Sequence, residues 1–192
     1  PYSIDPGAGV FYGPKIDIQA VNVFGKEDSV STMQLDFNLP EKFQITYIDS
    51  EGKEKQPYVI HRALIGSFER FFSFLIEHHG GDFPLWFTPE QVCIIPISEK
   101  QNEYASGVFK KLKDARLRVK LDIRNKSMQA RIRDAEKMKI PPIIVVGDKE
   151  IDTETISVRA RSNKEEGLMK VQEFIDNLRE EIRTKETFTN NI

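Results

Sequence analysis

The sequence predicts an α+β unit built on an antiparallel sheet, followed by an α/β unit built on a mixed sheet. Two observations predict it. Up to residue 79 the chain shows β-prone runs, hairpin turns and one long helical stretch. Beyond residue 89, strand and helix patterns alternate. Between them lies Phe83-Pro-Leu-Trp-Phe-Thr-Pro89, whose prolines restrict the chain and whose aromatics are expected to pack between domains. The expected domains are therefore 1–88 and 89–192, and 192 residues suffice for two small cores.

In the first domain, residues 11–23 and 32–39 read as strands joined through a turn at Gly25-Lys26. Residues 43–48 and 58–62 read as a second pair around Asp49-Ser-Glu-Gly52, a hairpin signal with Gly available for positive φ. Residues 68–79 are apolar and aromatic enough for a buried helix, with Ser67 as N-cap and a stop at Gly80-Gly81. An antiparallel sheet leading into one helix is half of an α+β domain.

In the second domain, residues 92–97 read as a strand, and 103–115 as a helix with Tyr104, Val108, Leu112 and Ala115 on one face. Leu117, Val119 and Leu121 alternate as in a strand. Ser127 can cap a helix through residue 139, ended by Pro141-Pro142. Residues 143–146 and 156–160 are further strands. Leu168, Val171, Ile175, Leu178 and Ile182 mark an amphipathic last helix, with a frayed tail over 184–192. The order βαβαββα implies a mixed sheet with helices on its faces.

Charge is split along the chain. Residues 1–88 carry 7 Lys/Arg against 12 Asp/Glu, whereas 89–192 carry 21 against 18. Within 116–139 there are nine basic and three acidic residues, which fits either a nucleic-acid footprint or a solvated helix face. Lone Cys93, inside an apolar run, is expected to be a buried hydrophobe and not a nucleophile. It cannot form an internal disulfide, which fits a reducing, cytoplasmic setting. No apolar run approaches membrane-spanning length. The chain opens Pro1-Tyr-Ser-Ile-Asp-Pro-Gly, with neither Met nor a secretory leader, and is expected to be a fragment.

The most informative stretch is His61-Arg-Ala-Leu-Ile-Gly-Ser-Phe-Glu-Arg70. It sets a potential metal ligand before a helix whose first turn carries Arg70, where unpaired backbone N–H groups already favour an anion. Gly66 leaves space for a flat ring to approach the backbone. Read alone, His61 is better explained as a hydrogen-bonded core histidine, and Arg70 as a surface or salt-bridge residue. His78 and His79 end the helix, where its partial negative charge suits them structurally.

This stretch resembles motif 3 of the class II aminoacyl-tRNA synthetases, in the form found in the threonyl family. Val10-Phe-Tyr-Gly-Pro-Lys-Ile-Asp17, Thr32-Met-Gln-Leu-Asp-Phe-Asn-Leu-Pro40 and the 83–91 junction are similar to that family as well. So are Val119-Lys-Leu-Asp-Ile-Arg-Asn125, Val146-Gly-Asp-Lys-Glu150 and Val158-Arg-Ala-Arg161.

The resemblance implies threonine–tRNA ligase activity: ATP-dependent formation of threonyl-adenylate and transfer to tRNA(Thr). It implies that Tyr12, Lys15, Gln34, Ser67 and Arg70 line the ATP and amino-acid pocket, with Arg70 as the catalytic charge stabiliser. His61 becomes one of three ligands to Zn2+, the other two lying upstream, and ATP would enter with Mg2+. An inner-sphere hydroxyl contact separates threonine from valine as an apolar pocket cannot.

In the anticodon-binding domain, Asn125, Glu150 and Arg159 match the anticodon readers. Lys126, Arg131, Arg133 and Arg161 are candidates for phosphate contacts or plain solvated charges. The family works as a homodimer, and its motifs 1 and 2 and editing domain are expected upstream. One departure is Asp28-Ser-Val-Ser31, which places Ser29 where a nucleotide-contacting Gln is expected. Two rivals remain: a non-catalytic tRNA-binding paralogue or processed module, and the related prolyl, glycyl or histidyl enzymes.

Overall fold

The computed structural model describes residues 2–159 and 165–185. It divides into two compact units, Pro1–Gly81 and Asp82–Ile192.

The first unit contains β1 (Lys15–Val21), β2 (Glu27–Asp36), α1 (Asn38–Lys42), β3 (Tyr47–Ile48), β4 (Glu54–Lys55), β5 (Val59–Ala63) and α2 (Phe68–His79). β1, β2 and β5 form an antiparallel sheet in the order β1-β2-β5. The first strand begins later than the β-prone run suggests, because residues 10–13 close a turn bridged from Val10 to Gly13. Gly13 has φ +159, and a Cβ there would lie 2.0 Å from the Leu35 carbonyl oxygen, so no larger residue fits. The β1–β2 turn is held by Asn22, whose Oδ1 accepts from the N–H groups of Phe24 (2.9 Å) and Lys26 (3.0 Å).

The turn at 49–52 forms, but its strand partner differs from expectation. β3 pairs with the nearby β4, and β5 pairs instead with β2. α1 was hidden by Pro40, yet Pro is tolerated in a first helical turn, where its missing N–H has no intrahelical partner to lose. Asp36 starts that helix by accepting from the N–H groups of Asn38 and Leu39 at 2.8 and 2.9 Å.

α2 spans the expected residues. Ser67 Oγ accepts from Arg70 N–H at 3.3 Å, and left-handed Gly80 ends it. The helix is not buried, however, and Phe68, Phe72 and Ile76 are exposed. So are Ile16, Ile18, Met33 and Ile60 on one face of the sheet. Among the described residues, the buried apolar core begins at Leu85. The first unit therefore carries amphipathic elements whose apolar sides nothing described covers.

The second unit contains β6 (Val92–Pro96), α3 (Asn102–Asp114), β7 (Val119–Leu121), α4 (Met128–Lys137), β8 (Ile143–Val146), α5 (Asp148–Asp152), β9 (Ile156–Arg159), β10 (Glu165–Met169) and α6 (Val171–Thr184). The sheet order is β10-β9-β8-β6-β7, with β7, β6 and β8 parallel and β9 and β10 antiparallel. Val92, Ile94, Ile144 and Val158 pack with Val108, Leu112, Phe174 and Leu178 on one face. Cys93, Ile95 and Ile143 pack with Ile132, Ala135 and Ile140 on the other. Burial pushes the Cys93 thiol up to about 12, so it is an inert core residue.

α5 and β10 escaped the sequence reading. α5 is a five-residue helix, too short for a periodic face. Leu168, expected to open the last helix, lies on β10, and α6 begins at Val171. The expected tail beyond Lys185 and the strand end at Ala160 lie outside the described residues.

The Pro- and aromatic-rich segment clusters with the second unit. Leu85 is buried in its core, and Phe87 meets Phe83 edge-on at 5.1 Å. Buried Gln91 donates to Leu85 O (2.9 Å) and accepts from Arg118 N–H (2.9 Å). The Arg118 guanidinium donates to Thr88 O at 2.8 and 3.0 Å and to Trp86 O at 3.1 Å.

Candidate functional site

In the first unit, strand register assembles the site. Lys15 of β1 lies opposite Gln34 of β2, which lies opposite His61 of β5. Directly opposed residues share a sheet face, so three predicted site residues form one row across three strands. Tyr12, from the turn before β1, donates a short hydrogen bond to Gln34 Oε1 and meets the His61 ring edge-on at 5.9 Å. Lys15 pairs with Asp17 at 2.7 Å. Tyr12, Gln34, Asp36 and His61 line a cleft of about 360 Å³ with Phe11 and Lys42.

The sequence reading missed Asp36. Its signal was present in the spacing, since Gln34 and Asp36, two apart on a strand, face the same side. Asp36 is only 1% exposed, and its Oδ2 lies 2.8 Å from His61 Nε2. Burial pushes the Asp36 carboxyl up. The hydrogen bonds from Leu39, His61 and Asn38 outweigh that and hold it below its ordinary 3.8.

Among the described residues no three His, Cys, Asp or Glu side chains are grouped to hold a metal. The donor chemistry fits His61 as one ligand only, because its side chain is 40% exposed while Asp36 occupies Nε2.

Gly66, Arg70, Phe71, Phe74 and Ser29 line a second cleft of about 300 Å³ at the start of α2. The departure at 28–31 coincides with a β-bulge. Ile18 pairs with Ser31 and Gln19 with Ser29, skipping Val30. Ser29 Oγ is spent on Gln19 Oε1 at 3.1 Å. Ser67 serves as the helix cap, so its Oγ is already an acceptor for the backbone.

In the second unit, Asn125 is exposed in the loop after β7. Glu150 is buried, and its Oε2 accepts from Gly147 N–H at 2.8 Å where α5 begins after β8. A Cβ on Gly147 would meet Ile97 Cδ1 at 2.7 Å and that Glu150 oxygen at 3.0 Å. Asn125 and Glu150 thus follow the carboxyl ends of parallel strands, where α/β sheets characteristically bind ligands. Arg159 is not brought to that edge. It pairs with Ile143 at the opposite end of β8, roughly 10 Å away along the strand.

The basic stretch is largely committed to structure. Arg131 cannot contact phosphate, contrary to expectation, because it is 5% exposed and donates to Asp122 O (2.8 Å), Pro96 O (2.7 Å) and Ile97 O (3.3 Å). Arg124 grips the Asp122 carboxylate at 2.6 and 2.9 Å and reaches Asp134 at 3.0 Å. Its hydrogen bonds hold Asp122 below the ordinary carboxylate value against the opposing effect of burial. Lys126 pairs with Asp134 at 3.0 Å, and Arg133 is exposed. Arg161 lies outside the described residues.

Residues 4–79 match the family described as the tRNA synthetase class II core domain (G, H, P, S and T). Residues 91–181 match the Anticodon binding domain. The chain is 48% identical over 185 residues to a threonine–tRNA ligase of Aquifex aeolicus, covering 96% of this chain and 29% of that protein. It is 48% identical over 186 residues to one of Borreliella burgdorferi, covering 97% and 32%. It therefore spans less than one third of these relatives. Among solved structures, the RNA binding domain of threonyl-tRNA synthetase from Cryptosporidium parvum superposes with TM-score 0.77 at 33% identity, covering 92% of this chain and 45% of that one. No helix of the described residues is long and apolar enough to cross a membrane.

Proposed function

Because the chain belongs to the class II tRNA synthetases, joining a stretch of their core domain to an anticodon binding domain, we propose that it is part of a threonine–tRNA ligase. The intact protein would form threonyl-adenylate from ATP and L-threonine and transfer the threonyl group to tRNA(Thr). The observation that carries this reading is the row Lys15–Gln34–His61, flanked by Tyr12, in the same unit as a second cleft lined by Arg70. Arg70 would position ATP and stabilise the charge that develops on its phosphates, and Tyr12, Lys15 and Gln34 would hold the amino acid. His61 would supply one of three ligands to Zn2+, ATP would arrive with Mg2+, and the enzyme would act as a cytoplasmic homodimer. When bound, the zinc would take the threonine amino and hydroxyl groups.

In the second unit, Asn125, Glu150 and Arg159 would read unstacked anticodon bases. Asn supplies a donor and an acceptor, and Arg supplies a fork. Lys126 and Arg133 would meet phosphates.

Residues 1–192 alone would bind tRNA without activating threonine. The supporting observations are that, among the described residues, no three His, Cys, Asp or Glu side chains are grouped to hold a metal, and that apolar side chains of the first unit such as Ile18, Ile60, Phe68 and Phe72 are exposed. Threonine-dependent ATP–pyrophosphate exchange separates the two levels. The intact protein should catalyse it and this chain should not; exchange by this chain would overturn the division, and none by the intact protein would overturn the ligase reading.

A further inference from the structure

We propose that Asp36 is a positioning residue that locks His61 in the tautomer with hydrogen on Nε2, so that His61 meets a divalent metal through Nδ1. The inference deepens the metal reading of His61 and rests on it for the metal alone. The tautomer follows from geometry within the first unit.

Asp36 is built into the fold at three points. Its Oδ1 accepts from Asn38 N–H at 2.8 Å and from Leu39 N–H at 2.9 Å, so the first turn of α1 clamps that oxygen. Pro40, next in this turn, is fully buried and stiffens it. With the side chain 1% exposed, Oδ2 is turned to one partner, His61 Nε2 at 2.8 Å. An oxygen of a carboxylate is an acceptor, so Nε2 must be the donor. A neutral imidazole has one N–H, which leaves Nδ1 with its lone pair. Metal-bound histidines are oriented in this way by a carboxylate on the other ring nitrogen. The Tyr12 ring edge limits rotation of the imidazole from a second side.

The same clamp makes the test decisive. In Asp36→Asn the side-chain oxygen must remain at Oδ1 to accept from Asn38 and Leu39, so the amide nitrogen faces Nε2. It can only donate there, which forces hydrogen onto Nδ1. Imidazole nitrogen-15 NMR of this chain, recorded at a pH where the spectrum itself shows a neutral ring, should show a pyrrole-type Nε2 and a pyridine-type Nδ1. Asp36→Asn should exchange the two signals while the amide spectrum shows the fold retained. In the intact protein Asp36→Asn should weaken zinc binding about 10–100-fold in a chelator competition. Should Asp36→Asn lose the fold, the wild-type signals still decide the tautomer.

A pyridine-type Nε2 or a mixed tautomer in the wild-type chain would overturn the proposal. So would a switched tautomer with unchanged zinc affinity. His61→Ala distinguishes the two levels: full zinc retention in that variant would remove the metal reading, whereas the NMR result judges the Asp36–His61 pair independently.

Discussion

Arg131 meets Asp122 at the main chain, and Arg124 meets it at the carboxylate. The buried guanidinium donates to the Asp122 carbonyl oxygen at 2.8 Å, while Arg124 takes the Asp122 carboxylate. Arg131 thereby ties the ends of β6 and β7 together beside the loop that carries Asn125.

Replacing Arg131 by Met keeps much of the volume but leaves the buried carbonyls of Asp122 and Pro96 unpaired. The second unit should lose about 3 kcal/mol of stability, read from urea unfolding. The salt dependence of tRNA binding should keep its slope, because this residue reaches no phosphate. A flattened slope would return Arg131 to the RNA-contacting set.

The Asp122 carboxyl contributes to a pH dependence with a definite sign. Its folded value lies below its ordinary 3.8, so its stabilisation is present above that value and is lost as pH falls through the folded one. Urea midpoints measured from pH 5 downward should therefore drop below about pH 4, and Asp122→Asn should make that drop shallower. An equal acid drop in the variant would assign it to other carboxylates.

If the intact protein activates threonine as proposed, Arg70→Ala should impair adenylate formation by about 2–4 kcal/mol, the range for removing a group that stabilises developing charge. Filter binding of tRNA should change little. Equal losses in both assays would make Arg70 a structural residue.

Asn125→Ala and Arg159→Ala should relax discrimination between tRNA(Thr) and an anticodon-swapped tRNA, by roughly 1–3 kcal/mol for each good base contact. Lys126→Ala should weaken both RNAs alike and reduce the salt slope, since releasing fewer counterions is indifferent to sequence. Titrations at two salt concentrations separate the classes. The same factor on both RNAs for Asn125→Ala and Arg159→Ala would mean that they position the strand without reading it.

Much of this architecture was legible in local chemistry. Ser67 as a cap and Gly80 as a stop bound α2, and the two faces of β6 separate Ile94 from Cys93 as alternation requires. What escaped is non-local. The turn at Asp49–Gly52 is visible in the sequence, but that β5 crosses to β2 instead of closing the hairpin depends on pairing no turn residue encodes. Arg131 looked like a surface charge because its helix is strongly charged, and only the fold puts three carbonyl oxygens around it. Spacing puts Asp36 on the same strand face as Gln34, but neither strand encodes that His61 arrives beside it from β5.

The row from Lys15 through Gln34 to His61 also sets what length variation the chain can absorb. Residues added or removed between α1 and β4 lie outside the ladder joining β2 to β5. Such changes can lengthen or shorten the excursion and still return His61 opposite Gln34. A single deletion within β5 is different in kind. With side chains alternating between faces, a one-residue slip would present Ile60 or Arg62 where the imidazole stands. Indels should thus be harmless in the excursion and fatal in a five-residue strand.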